Sequence, residues 1–383
     1  MKIESISLSI LEAQSNTNRF DLRQAGTGLR RRWLRQYATS AVGEIHLLHV
    51  LTDEGIEGVC TVGDARYTTM RPDELEQLRM MAVGHDPLDR EYLFAKLHKA
   101  TRSMFSKPGW FGAFDNCLWD IAGKAADMPV YALMGRARPS CSAYYNIGGI
   151  MDEQAWIVAE RDIEKALEAG FGALKDHFQD TAARNIQLFE KVRARVGPSI
   201  ELLHDSAMAG YSYADALKVG RALEALDFGW FEEPLPDAEQ QQLQNLCRAL
   251  DIPIVAPESL MHDMQLSAQW LISGATDLLR ANGRHGATAM LKLAHLAELH
   301  GSTIEFNGPG GLFGLVHAHL VCAISNTSYY EYFPGGSRDE AGKEIGLLNP
   351  PLPHNGEITP PAVPGWGAEW DWGYVDKKRV AKL

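Results

Sequence analysis

Between residues 141 and 333 the chain carries eight short β-rich runs, with amphipathic helical segments in the gaps and no glycine-rich phosphate fingerprint after the first run. Before residue 141 it reads as antiparallel strands followed by helices. Together these observations predict an α/β barrel, a modified TIM-like β/α barrel, preceded by an N-terminal α+β domain. Without the fingerprint, a doubly wound dinucleotide-binding sheet is the poorer fit.

Residues 5–10 alternate polar and apolar, and a second strand over 44–51 runs through the turn Asp53-Glu54-Gly55 into a third over 56–61, giving a three-stranded meander. Between the first two strands, residues 14–39 read as a long loop carrying Arg19, Arg23, Arg30, Arg31, Arg32 and Arg35, either a solvated basic surface or a lid for an anionic ligand. Helical periodicity follows over 72–84, 88–101 and 110–126, the last stopped by Met128-Pro129. The eight runs then fall at 141–147, 172–178, 199–205, 230–234, 252–258, 276–282, 303–307 and 328–333, with helices over 153–169, 182–196, 213–226 and 288–300 among those between them. The proline-rich stretch 348–372 reads as irregular.

In 383 residues, 37 Lys and Arg stand against 49 Asp and Glu, a formal charge of −12 that would repel nucleic acid and anionic membranes. A small molecule is the expected partner. No apolar run is long enough to span a bilayer, and the N-terminus lacks the apolar block of a signal peptide. The five cysteines are scattered with no C-x-x-C pair, which argues against a disulfide framework and for a reducing cytoplasm.

In a β/α barrel, chemistry sits where the strands end. The third run ends in Asp205, the fourth contains Trp230-Phe231-Glu232-Glu233-Pro234, and the fifth ends in Glu258, acids 27 and 26 residues apart, one β/α unit each time. Neighbouring strands lie about 4.8 Å apart, so the three carboxylates converge. Crowded like charges call for a cation, and all-oxygen ligands select a hard one, Mg²⁺ first and Mn²⁺ second. On the second run, Leu174-Lys175-Asp176-His177-Phe178, alternate residues share a face, so Lys175 and His177 point the same way. An imidazole beside a cation and acids is a suitable proton acceptor.

This constellation resembles the enolase superfamily, in its mandelate racemase and muconate lactonising branch. The resemblance spans nearly the whole chain, including Phe114 to Lys124 and Pro129 to Gly135. It implies a capping domain over residues 1–135, a catalytic barrel over 136–335 and a C-terminal segment, 336–383, folding back on the cap. The branch's metal triad matches Asp205, Glu232 and Glu258. Its Lys-x-Lys matches Lys175-Asp176-His177 with His in the second place, and the acid that contacts the substrate carboxylate in some members matches Glu331. Where many members carry an Asp and a His at the ends of strands six and seven, this chain has Asn282 and Asn307. An amide holds a hydroxyl but takes no proton, which disfavours racemisation by two opposed bases. His285 and Glu305 are the ionisable residues left on that side; His317 and His319 fall on a helical pattern and read as packing groups.

The resemblance implies an enzyme, a lyase that dehydrates a sugar acid. His177 or Lys175 takes the proton α to the carboxylate, its partner polarises that group, and the β-hydroxyl leaves to give a 2-keto-3-deoxy acid. Tyr145, Asn146, Asn282, His285, Asn307, Glu331 and Arg19 are the expected substrate contacts. The alternatives are an epimerase, racemase or cycloisomerase working through the same enolate, and a metal-binding barrel without catalysis. Family members are commonly symmetric oligomers, so a homo-oligomer is expected.

Overall fold

In the computed structural model, β1 (Ile3–Ser15) pairs antiparallel with β4 (Ala41–Thr52), and β4 with β5 (Glu57–Thr61). The structure describes all residues except 16–19, 26–31, 38–40, 64–68, 105–108, 149–154, 207–208, 309 and 335–339. The stretch expected to be a loop instead holds an antiparallel pair, β2 (Phe20–Ala25) and β3 (Arg32–Tyr37). Phe20, Leu22, Trp33, Leu34 and Tyr37 supply the strand propensity, which the surrounding arginines and glycines mask in the sequence. Arg19 lies outside the described residues.

Three helices follow, Pro72–Ala82, Arg90–Met104 and Trp110–Ala125. The third is buried on every side because it lies between the first sheet and the barrel, which explains a helix with almost no polar stripe.

The barrel strands are β6 (Cys141–Ile147), β7 (Ala173–Asp176), β8 (Glu201–Asp205), β9 (Phe228–Glu232), β10 (Ile254–Ala256), β11 (Leu278–Ala281), β12 (Ile304–Phe306) and β13 (Tyr330–Tyr332). All pair in parallel in the order β12-β11-β10-β9-β8-β7-β6-β13. The ladder therefore has its two ends at the seventh and eighth strands. The Ile304 amide donates to the Asn326 carbonyl (2.9 Å), and Glu305 accepts from Ser328 Oγ (2.8 Å), tying across that seam. The architecture is the expected modified TIM-like barrel with an N-terminal α+β domain.

A short β14 (Glu357–Ile358) adds antiparallel to β6, and β15 (Arg379–Lys382) closes the first sheet in the order β15-β1-β4-β5. Between them Trp366 is pinned to the buried helix, its indole N–H donating to the Asn116 carbonyl at 2.8 Å. All five cysteines are free. No helix among the described residues is long and apolar enough to cross a membrane.

Inside the barrel, Tyr144, Ala173, Leu203, Trp230 and Val255 form an apolar floor separate from the main core. One step further along the same faces stand Asn146, Lys175, Asp205, Glu232 and Arg280, because side chains two residues apart share a face.

Candidate active site at the barrel mouth

The charged layer is a closed ring. Lys175 Nζ donates to Glu232 Oε2 (2.8 Å) and pairs with Glu331 Oε1 (2.7 Å). Arg280 pairs with the remaining oxygens of the same two acids, Nε with Glu232 Oε1 (2.6 Å) and Nη2 with Glu331 Oε2 (2.8 Å). All four side chains are buried. Asp205 hangs from the ring at 3.4 Å from Lys175 and 3.2 Å from His177 Nε2, and Glu258, one-fifth exposed (21%), at 3.5 Å from Arg280 Nε.

Four carboxylates thus face two permanent cations, a surplus of two negative charges. The buried acids are driven in opposite directions. Burial, together with Asp205 and Glu331, outweighs Arg280 and Lys175 and pushes Glu232 upward. Burial and then Glu258 and Asp205 push Glu233 well up. Against the same burial, Lys175 and Arg280 hold Glu331 down at about 2, and Lys175 and His177 hold Asp205 well below the carboxylate range.

Asp205 and Glu232 are partners in register, whereas Glu232 pairs with Val255, and Glu258 lies beyond the end of β10. Among the described residues no three His, Cys, Asp or Glu side chains are arranged to hold a metal ion as they stand. Lys175 and Arg280 stand between the acids. The donor chemistry nevertheless fits one: the oxygens are hard, and their uncompensated charge equals that of a divalent cation.

His177 leaves the ring toward solvent. Its side chain is 17% exposed, and it borders a cavity of about 770 Å³ that runs along the helix Ala155–Glu168, lined by Arg161, Asp162, Lys165, Tyr145 and Phe171; Asp205, Glu232, Glu258, Asn282 and Asn307 do not line it. Asn146 donates to the Tyr332 carbonyl (2.9 Å) and to Glu331 (3.3 Å). Tyr145, on the opposite face of β6, packs on Phe171 and Tyr332 with ring centroids 5.1 and 5.8 Å away.

Across the mouth, the Asn282 amide donates to Asn307 Oδ1, and Asn282 Oδ1 accepts from the Arg284 amide (2.8 Å). Asn307 is buried and its Nδ2 has no protein partner. His285 follows in a single 3-10 turn, Gly283–His285; burial and then Arg284 hold it well below the usual imidazole range, so it is neutral. His317 and His319 lie buried in the helix Phe313–Ala323, where His317 accepts from the Gly283 amide (2.7 Å) and His319 from the Tyr131 amide (3.1 Å). Glu305 accepts from Thr303 and Ser328 at the seam.

Arg280 is the residue that sequence reasoning passed over. The signal was available: it stands two before Asn282 and so shares the inward parity already given to that amide.

A model described as enolase C-terminal domain-like matches residues 158–374, and one for the N-terminal domain of mandelate racemase/muconate lactonizing enzyme matches residues 31–135. The chain belongs to the mandelate racemase/muconate lactonizing enzyme family of the enolase superfamily. A D-galactonate dehydratase family member of Catenulispora acidiphila is 26% identical over 367 residues, covering 87% of this chain and 82% of that protein. Arabinonate dehydratase of Saccharolobus solfataricus is 27% identical over 301 residues, covering 76% and 78%. The crystal structure of D-glucarate dehydratase from Agrobacterium tumefaciens, complexed with magnesium, superposes with a TM-score of 0.83 at 28% identity, with 100% of each chain covered.

Proposed function

We propose that this chain is a divalent-metal-dependent dehydratase of a small sugar acid, an aldonate or aldarate, yielding a 2-keto-3-deoxy acid. The observation that carries the reading is the division of labour between the two candidate bases. Lys175 is fully buried, donates to Glu232 and is ion-paired with Glu331 and Asp205, while His177, with its side chain 17% exposed, faces away from that ring. His177 is therefore the base and Lys175 a fixed counter-charge.

Asp205, Glu232 and Glu258 would hold Mg²⁺ or Mn²⁺. Bound there, the cation supplies positive charge to the substrate carboxylate, onto which negative charge moves as the α proton leaves. His177 Nε2 takes that proton, and Asp205 at 3.2 Å orients the ring and steadies the imidazolium. As the β carbon–oxygen bond breaks, the proton on His177 is available on the same face to the departing hydroxide, which leaves as water; the resulting enol ketonises. Asn282 and Asn307 hold substrate hydroxyls, with the unpartnered Asn307 Nδ2 as a ready donor. Neutral His285, whose Nε2 accepts from Arg284 Nε (3.2 Å), keeps its proton on Nδ1 and offers substrate a hydrogen-bond donor. The relatives named as dehydratases of galactonate, arabinonate and glucarate support the substrate class.

The test is to incubate the purified protein and Mg²⁺ with a panel of aldonic and aldaric acids and assay for 2-keto acids, expecting turnover of at least one and its loss on chelation. Failure across the panel overturns dehydration. Exchange of the α proton with D₂O without loss of water would point instead to an epimerase.

A further inference from the structure

We infer that Arg280 is a resident counter-ion that competes with the divalent cation for Glu232 and Glu258, and so lowers the cation's affinity while letting the barrel fold without it. The inference rests on the metal site proposed above and goes beyond it.

The geometry is that of an alternating square, Lys175, Glu331, Arg280, Glu232, in which each acid has one oxygen within 2.6–2.8 Å of each cation, the Glu232–Arg280 edge being an ion pair without hydrogen-bond alignment. Such a square is neutral by itself and needs no further ion. Arg280 is 1% exposed, and its Nη groups also reach the Tyr144 hydroxyl at 3.4 and 3.5 Å, so the apolar floor fixes its position. Both oxygens of Glu232 already face a cation, and Glu258 is held at 3.5 Å by the same Arg280 Nε. A buried carboxylate stripped of its partner is destabilising, and ligand binding to it then recovers the lost stability. Removing Arg280 should therefore make the protein depend on metal for stability and bind metal more tightly. Removing Glu331 should do the reverse, because Arg280 then has only Glu232 and Glu258 to pair with.

The experiment is Mn²⁺ titration, by calorimetry or by loss of the free-ion EPR signal, with thermal melts in EDTA and in Mn²⁺, on the full chain and on Arg280→Gln, Arg280→Lys and Glu331→Gln. Arg280→Gln is expected to bind Mn²⁺ about tenfold or more tighter than the unmodified chain, with a lower melting temperature in EDTA that Mn²⁺ restores. Arg280→Lys, which keeps the charge, should stay near the unmodified Kd, and Glu331→Gln should bind several-fold more weakly. If Arg280→Gln does not fold in EDTA, the opposed shifts of the other two variants decide. Unchanged or weaker Mn²⁺ binding in Arg280→Gln, or tighter binding in Glu331→Gln, overturns the inference and leaves the metal site standing. Mn²⁺ uptake by none of the four proteins would overturn the metal site itself.

Discussion

The two sides of the barrel mouth are built differently. On the β7 to β10 side, Lys175, His177, Asp205, Glu232 and Glu258 are ionisable, and His177 opens onto the cavity. On the β11 to β12 side the rim positions are amides, Asn282 and Asn307, bonded to each other. The amide side is also braced from behind. Asn116 of the buried helix donates to the Gly283 carbonyl (2.9 Å), His317 accepts from the Gly283 amide, and Asp115 accepts from the Thr288 amide (2.8 Å). On the proposed mechanism the difference assigns proton transfer to one face, and leaves the other as a template braced by the helices Trp110–Ala125 and Phe313–Ala323.

The largest expected effect breaks the reactive side. His177→Asn should lower kcat by about 10²–10⁴ with Mn²⁺ affinity near that of the unmodified chain. A rate within a few-fold of the original would move the base elsewhere.

The brace is tested at Gly112, where an added Cβ would lie 1.8 Å from the Arg284 carbonyl oxygen. Gly112→Ala should displace the 283–286 turn and cost about 3 kcal/mol of stability, read by denaturant unfolding. A neutral result would show that the turn is not held by this contact.

Acid attacks the same brace through His317, and the contact of the same helix with Tyr131 through His319. Burial holds His317 and His319 down at about 3, from an ordinary 6.5, so both contribute stability that is present above pH 6.5 and lost as pH falls toward 3. Between pH 6.5 and 5 the loss is about 2 kcal/mol per histidine. Asp115 works in the opposite sense: burial raises it to about 6, so its contribution grows as pH falls below 6. Buried Glu232 and Glu233 act in the same sense as Asp115, so the check is a comparison: between pH 6.5 and 5 the melting temperature of His319→Gln should shift less toward instability than that of the unmodified chain. An equal shift in the two proteins would sink the assignment.

The smallest effect concerns the template itself. Asn307→Ala should lower kcat/KM about tenfold, mainly through KM, since it removes a hydrogen-bond donor to substrate and leaves the base in place. A loss as large as that of His177→Asn would mean that the amide face takes part in proton transfer.

Periodicity alone was enough to determine the architecture. Alternating strands and helices over 141–333 specify a β/α barrel, and alternation within 174–178 puts Lys175 and His177 on one face, because both follow from local backbone geometry. The β2 and β3 pair escaped notice because a hairpin among charged and glycine residues carries a weak local pattern.

What only the tertiary structure decided is which charges meet. Lys175 reaches Glu232 across 57 residues and Arg280 reaches Glu331 across 51. Strand register and the curl of the sheet bring them together, and no local pattern records either. Face parity says that a side chain points inward; the neighbours it finds there decide whether a lysine is a base or a counter-ion, and whether an arginine unnoticed on the sixth strand closes a ring of charge.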